Sequence, residues 1–114
     1  RGYGPHRRCR VGDLVESEAL HALWGDSIDA LRVSSTKSMH GHLLGAAGAL
    51  EAVVTVLALH HRQLPPNAFC ATPDPACRLN LVREAGAAAP DLNAAISNSF
   101  AFGGTNAVLV FQRA

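Results

Sequence analysis

The chain has 114 residues, of which 48% are hydrophobic, 17% charged and 5% aromatic, with a formal net charge of +1. That length holds one small domain at most, and so much apolar content with so little net charge excludes disorder for the bulk of it. No segment recurs, which excludes a repeat array.

The apolar set is low in volume: Ala supplies 20 residues and Leu 14, but Ile only 2. A core of such side chains depends on backbones approaching closely. Charge is uneven as well. Residues 1–10 carry four Arg and no acid, leaving 6 basic against 9 acidic residues over 11–114. The basic excess therefore belongs to an Arg-rich tail, read here as disordered or foreign. Without aromatic interleaving it is a poor nucleic-acid signal, and no nucleic-acid partner is expected. The first residue is Arg, so the chain is expected to be a piece of something longer. Cys9, Cys70 and Cys77 form no CxxC pair, and the N-terminus carries no apolar signal segment. Free thiols in a reducing, cytoplasmic setting are the expectation.

In chain order, residues 12–25 read as a helix, with Leu14, Val15, Ala19, Leu20, Ala22, Leu23 and Trp24 near helical spacing. Asp13, Glu16 and Glu18 are expected in its first turn, and Gly25 ends it. A short strand is expected at residues 31–34, followed by a polar run to His40. Residues 41–61, GHLLGAAGALEAVVTVLALHH, read as one helix about 30 Å long. It is apolar nearly all round, with Glu51 its only formally charged residue, so it is expected to be buried in protein or lipid. The uninterrupted span Leu43–Leu59 is at the short limit for a bilayer and carries Glu51 at its centre. A protein core is the better reading, and no membrane is expected. Gly41, Gly45 and Gly48 would then thin one flank for close packing. Residues 63–75 are a proline-marked loop, 79–82 a short strand, and 86–89 a small, featureless stretch. Strands at 94–100 and 107–111, joined by a Gly-Gly turn, close the chain.

Lys37 is the only lysine, five residues before His42. A functional reading puts both on a loop at the mouth of the long helix. There the helix N-terminus would favour a neutral imidazole able to donate to a carbonyl, and Lys37 would pair with Glu51. Spacing alone favours a solvated lysine and a capping histidine. His40, His42, His60 and His61 match no standard zinc spacing and would sit at opposite ends of the helix, so no metal is expected. The segment from Asn98 to Asn106 is rich for a plain hairpin. Phe100 and Phe102 beside Gly103 and Gly104 suggest an aromatic gate on a hinge, with backbone N–H groups free to face a site. The plain alternative makes both Phe residues core.

Two segments, SSTKSMHGHLLGAAGALEAVVTVLAL and ISNSFAFGGTNAVLVF, resemble the C-terminal region of beta-ketoacyl-acyl carrier protein synthases, the condensing enzymes of thiolase fold. RVGDLVESEALHALWG resembles the family helix after its first catalytic histidine, and LPPNAFCATPDPAC the family connection after the buried helix. The SSTK form is closer to synthase II-type enzymes than to the synthase modules of giant polyketide chains. The likeness implies an α/β chain: the C-terminal part of a thiolase-like fold, a mixed sheet with a long buried helix, incomplete over residues 11–114. Residues 1–10 fall outside it.

It also implies a decarboxylating Claisen condensation of malonyl-carrier protein with an acyl thioester, in fatty-acid or polyketide synthesis. By position His42 matches the second catalytic histidine and Lys37 the active-site lysine, with Glu51 the acid paired to it. Phe102 matches the gating phenylalanine with Gly103 and Gly104 beside it, and Asn106 an asparagine that holds this loop. No cofactor or metal is implied. Partners are acyl carrier protein, acyl and malonyl thioesters, and a second subunit in a homodimer. The family's cysteine nucleophile lies upstream, and none of Cys9, Cys70 or Cys77 stands in its motif. Its His-Gly-Thr-Ser-Thr segment is replaced by GPHRRCR, so His6 is not promoted. His40 stands where the family usually has a small polar residue, and Ala101 where it usually has Gly.

The chain is expected to be inactive alone and to expose apolar helix and strand surface. The alternative is a non-catalytic remnant that binds acyl chains or dimerises with a complete synthase.

Overall fold

The computed structural model describes residues 9–83, 86–101 and 103–114. His6 and Phe102 lie outside the described residues. The chain is of mixed helix and strand and divides into two compact units: residues 1–33 with 70–81, and residues 34–69 with 82–114.

In the first unit, helix α1 (Cys9–Trp24) buries Ser17 and Leu20 and half-buries Leu14, His21 and Trp24. These positions recur at three- and four-residue steps, so they share one face. Because the helix begins at Cys9, Asp13, Glu16 and Glu18 fall beyond its first turn, contrary to expectation, and that turn holds no acid. Gly25, at φ +51°, stops the helix in a left-handed conformation that costs a residue without Cβ little. A 3-10 segment over Gly25–Ala30 follows and buries Ile28. Strand β1 (Arg32–Val33) pairs in parallel with a later strand, Asn80–Leu81 (β3 below). The Asn80 side-chain amide donates to the Asp29 carbonyl at 2.8 Å, and His21 Nε2 donates to the Arg78 carbonyl at 2.8 Å.

The second unit begins with a one-turn helix, α2 (Lys37–His40), inside what the sequence shows only as a polar run. The long helix is shorter than expected: a 3-10 turn at Leu44–Ala46 leads into α3 over Ala47–His61, 15 residues and not 21. Gly41 at φ +79° and Leu44 at φ +50° cannot belong to a right-handed helix. Nor is α3 buried all round. Only Ala47 and Leu59 are buried on it, and Val53, Val56 and Leu57 are exposed. An all-apolar helix implies that something covers it, but the residues present here cover one side. By length and composition alone, Leu44–His61 is also sufficient to cross a membrane.

Strand β2 (Gln63–Leu64) pairs antiparallel with β4 (Ala87–Ala88), in the stretch expected to be featureless, with Gln63 opposite Ala88. β3 is Asn80–Leu81, in the first unit. Leu64, Val82 and Ala89 form a small core with Ala87 and Leu92 packed on it. Strands β5 (Ala94–Phe100) and β6 (Asn106–Gln112) form a seven-pair antiparallel ladder from Ala94–Gln112 to Phe100–Asn106. Gly103 and Gly104, at φ +83° and +81°, make the turn, which a side chain would strain. The expected mixed sheet is not formed among the described residues, where three separate two-stranded ladders stand instead. Two strands cannot cover two faces, and every described residue of β6 but Phe111 is exposed.

Helix α3 packs along this hairpin. A methyl on Gly48 would lie 3.7 Å from Ser99 Oγ, an ordinary contact, whereas Gly41 and Gly45 have nothing within 4 Å. The thin flank expected from three glycines thus reduces to one position. At the other end, Arg113 Nη1 donates to the carbonyls of Leu59 at 2.7 Å and His60 at 3.4 Å, capping the helix C-terminus. The two contacts fix the direction of packing. Ser99, beside the Gly-Gly turn, lies at the N-terminal end of α3, so the turn and the segment that leads into α3 share one end of the unit.

Candidate functional site

The site grows from the segment between Ser34 and Ala46. Its entry is fastened by Asn67: Ser35 N–H donates to Asn67 Oδ1 at 2.8 Å, while the Asn67 amide donates to the Val82 carbonyl at 3.0 Å. Asn67 N–H donates to the same carbonyl at 2.8 Å, and Ser34 Oγ donates to the Pro65 carbonyl. The backbone then turns through α2, with Met39 N–H on the Thr36 carbonyl and Gly41 N–H on that of Lys37. That turn folds the chain back so that Lys37 Nζ donates to Glu51 Oε1 across a separation of 14 residues. Glu51 is 16% exposed and Lys37 38% in their side chains, so the carboxylate is the more desolvated partner and the ammonium keeps an open side. Pairing relieves the cost of holding an acid on an apolar helix.

His42 follows Gly41 and does not sit in the first turn of α3 as expected, since three more residues separate it from the 3-10 turn's end. Its ring is oriented by a different device. The Leu44 backbone N–H donates to His42 Nδ1 at 3.0 Å. A ring nitrogen that accepts carries no proton, so the ring's proton is on Nε2, which is left as a donor. Leu44 reaches this position at φ +50°, a strained conformation for a residue with a γ-branched side chain.

Asn106 opens β6 opposite Phe100, and Gly103 and Gly104 lie in the turn between the strands. Ala101 N–H bonds to the Thr105 carbonyl at 2.9 Å and Gly104 N–H to the Ala101 carbonyl at 3.3 Å. These bonds hold the turn closed. Direct pairing joins Lys37 with Glu51. His42 is placed by its own neighbour, and Gly103, Gly104 and Asn106 reach the same end through the hairpin. Two residues with a part in this geometry escape sequence reasoning. Asn67 sits in a proline loop, and Thr36 is buried with its hydroxyl 2.9 Å from His40 Nε2. The four-residue step from Thr36 to His40 is the only signal the sequence carries for the second.

Cys70 and Cys77 are free thiols. Burial, then the carboxylates of Asp74 and Asp13, raise the Cys77 thiol above its usual range, so it is a poor nucleophile at neutral pH. Among the described residues no three His, Cys, Asp or Glu side chains converge.

The family described as beta-ketoacyl synthase, C-terminal domain, matches residues 9–70. A 3-oxoacyl-[acyl-carrier-protein] synthase 2 of Staphylococcus aureus (strain COL) is 47% identical over 103 residues, which is 90% of this chain and 25% of that protein. The synthase of the same name from Coxiella burnetii (strain RSA 493 / Nine Mile phase I) is 46% identical over 103 residues, with the same coverage. A stretch of that length necessarily contains the whole of Lys37–Glu51. The chain spans about a quarter of the length of these curated relatives. It belongs to the beta-ketoacyl synthase C-terminal domain family, whose fold is thiolase-like.

Proposed function

We propose that this chain supplies the lysine and second-histidine part of a 3-oxoacyl-acyl carrier protein synthase, acting in fatty-acid biosynthesis. The observation that carries the reading is the Lys37–Glu51 ion pair, which folds the His42 segment onto the start of α3. In the reaction, an acyl group is held as a thioester on a cysteine that lies outside this chain. The carboxylate of a malonyl thioester leaves as carbon dioxide, and the electron pair released becomes an enolate. The enolate carbon attacks the acyl carbonyl, and the cysteine departs as thiolate.

The geometry supports a part for His42 and for Lys37, and the family resemblance supplies the rest. His42, with its proton on Nε2, donates to the malonyl thioester carbonyl as negative charge develops there. Lys37, neutralised on one side by Glu51, offers positive charge near the departing carboxylate. By the family resemblance, Phe102 gates the site beside Gly103 and Gly104 and its backbone N–H serves the acyl carbonyl oxygen, while Asn106 holds that turn. Acyl carrier protein delivers both thioesters, a second subunit completes a homodimer, the setting is cytoplasmic, and no cofactor takes part. The ion pair and the close approach of α3 to β5 at Gly48 support a protein-packed α3 over a bilayer span.

A second reading, a non-catalytic remnant that binds acyl chains or a complete synthase, is favoured by the exposed apolar rows of α3 and β6. The purified chain is expected to give no condensation of malonyl-carrier protein with an acyl donor. Joined to the segment that carries the cysteine, it is expected to turn over, and Lys37→Ala to slow that turnover about a hundredfold. Turnover by the chain alone, or an unaffected Lys37→Ala protein, refutes the first reading.

A further inference from the structure

The two histidines that flank Gly41 hold their protons on opposite nitrogens. His42 accepts at Nδ1 from Leu44 N–H. His40 Nδ1 faces the Gly41 carbonyl at 2.7 Å. A carbonyl can only accept, so this nitrogen carries the proton. His40 Nε2 is then an acceptor, and the Thr36 hydroxyl donates a hydrogen bond to it at 2.9 Å. Thr36 is buried, so its hydroxyl needs a partner, and that need fixes the distal nitrogen of a ring that is itself exposed.

We propose that His40 is a positioning residue that clamps the Lys37–His42 turn, joining the buried Thr36 hydroxyl before the turn to the Gly41 carbonyl after it. The four residues of α2 are too few to form a stable helix by themselves, and backbone bonds from Met39 N–H and Gly41 N–H help to close the turn. The ring adds a side-chain brace across the same span. Gly41, at φ +79°, is the one joint through which the chain leaves α2 toward His42, and its carbonyl is the atom that the ring holds. Releasing that joint would let Lys37 swing from Glu51 and His42 from its place. That this matters for condensation rests on the function proposed above, but the clamp itself is tested without any turnover.

Lys37 is the only lysine, so acylation of a side-chain amine reports on it alone. In the 114-residue chain, His40→Ala is expected to raise the acylation rate of Lys37 about fivefold, as the loss of a net hydrogen bond implies. His40→Asn, which still donates to Gly41, and His40→Gln, which still accepts from Thr36, are each expected to recover part of that protection. Thr36→Val, which keeps the shape and removes the hydroxyl, guards against a misfolded His40→Ala and is expected to raise the rate two- to threefold. In ¹⁵N-histidine spectra at alkaline pH, His40 is expected to show its proton on Nδ1 and His42 on Nε2. Equal acylation rates in all four variants, or His40 protonated on Nε2, overturn the clamp. If these results hold while Lys37→Ala leaves condensation intact, the function fails and the clamp stands.

Discussion

The segment from Ser34 to Ala46 and the β5–β6 hairpin belong to the same unit and are held on opposite terms. The segment has little regular structure, yet Ser34, Ser35, Thr36, Lys37, His40 and His42 each make a bond within the chain. The hairpin has seven regular pairs, yet Val108, Leu109 and Val110 are exposed, Val110 at 73%. Polar groups lose most when left unpaired, so the chemistry-bearing segment settles its bonds locally. Apolar strand faces are stabilised only by an opposing layer, which a two-stranded ladder lacks. The residues that would do the chemistry are therefore placed by this chain itself, and the surface that would bury them is not.

The difference can be broken from either side. The largest stability effect is expected at Leu59, buried where α3 ends: Leu59→Ala should cost about 2–4 kcal/mol in denaturant unfolding. A smaller effect is expected at Asn67, which bridges Ser35 to Val82. Asn67→Ala should cost about 1–2 kcal/mol and speed proteolysis within 34–46. If it does neither, the segment is not fastened as described. On the hairpin, replacing both Val108 and Val110 with Thr should change stability by less than about 0.5 kcal/mol while reducing self-association measured by light scattering. A large loss of stability would mean these side chains are already covered.

The smallest effect concerns Cys77. Its thiol is raised by burial and by Asp74 and Asp13, so at pH 8 less of it is thiolate than in an ordinary cysteine. Alkylation should therefore keep accelerating as pH rises past the usual thiol range. Asp74→Asn, which removes a negative charge, should lower the thiol's pKa and hasten alkylation at pH 8 by about twofold. A slower reaction would reverse the assigned sign.

The same contrast explains what could be read from the sequence. The hairpin was legible almost to the residue, because two short strand-like runs broken by Gly103-Gly104 admit few other structures. The pairing of Lys37 with Glu51 is implied by the family resemblance and not by spacing, which alone favours a solvated lysine. The start of α3 was not legible. Gly41 to Ala46 continues the small and apolar composition of the helix, but Gly41 and Leu44 take positive φ and the Leu44 N–H turns to the His42 ring. The exposure of α3 agrees with the expectation of uncovered apolar helix surface, because an all-apolar helix shows that a cover is needed but not that the same chain provides it. The Thr36–His40 brace was hidden because a hydroxyl and an imidazole four residues apart are common in polar runs.

We propose that the bonds within 34–51 assemble part of a condensing site around His42. The most direct test is the rate of condensation by the protein that joins this chain to its cysteine-bearing segment, measured with His42 intact and with His42→Ala. A fall of about a hundredfold or more is expected, with folding unchanged. An unchanged rate would contradict it.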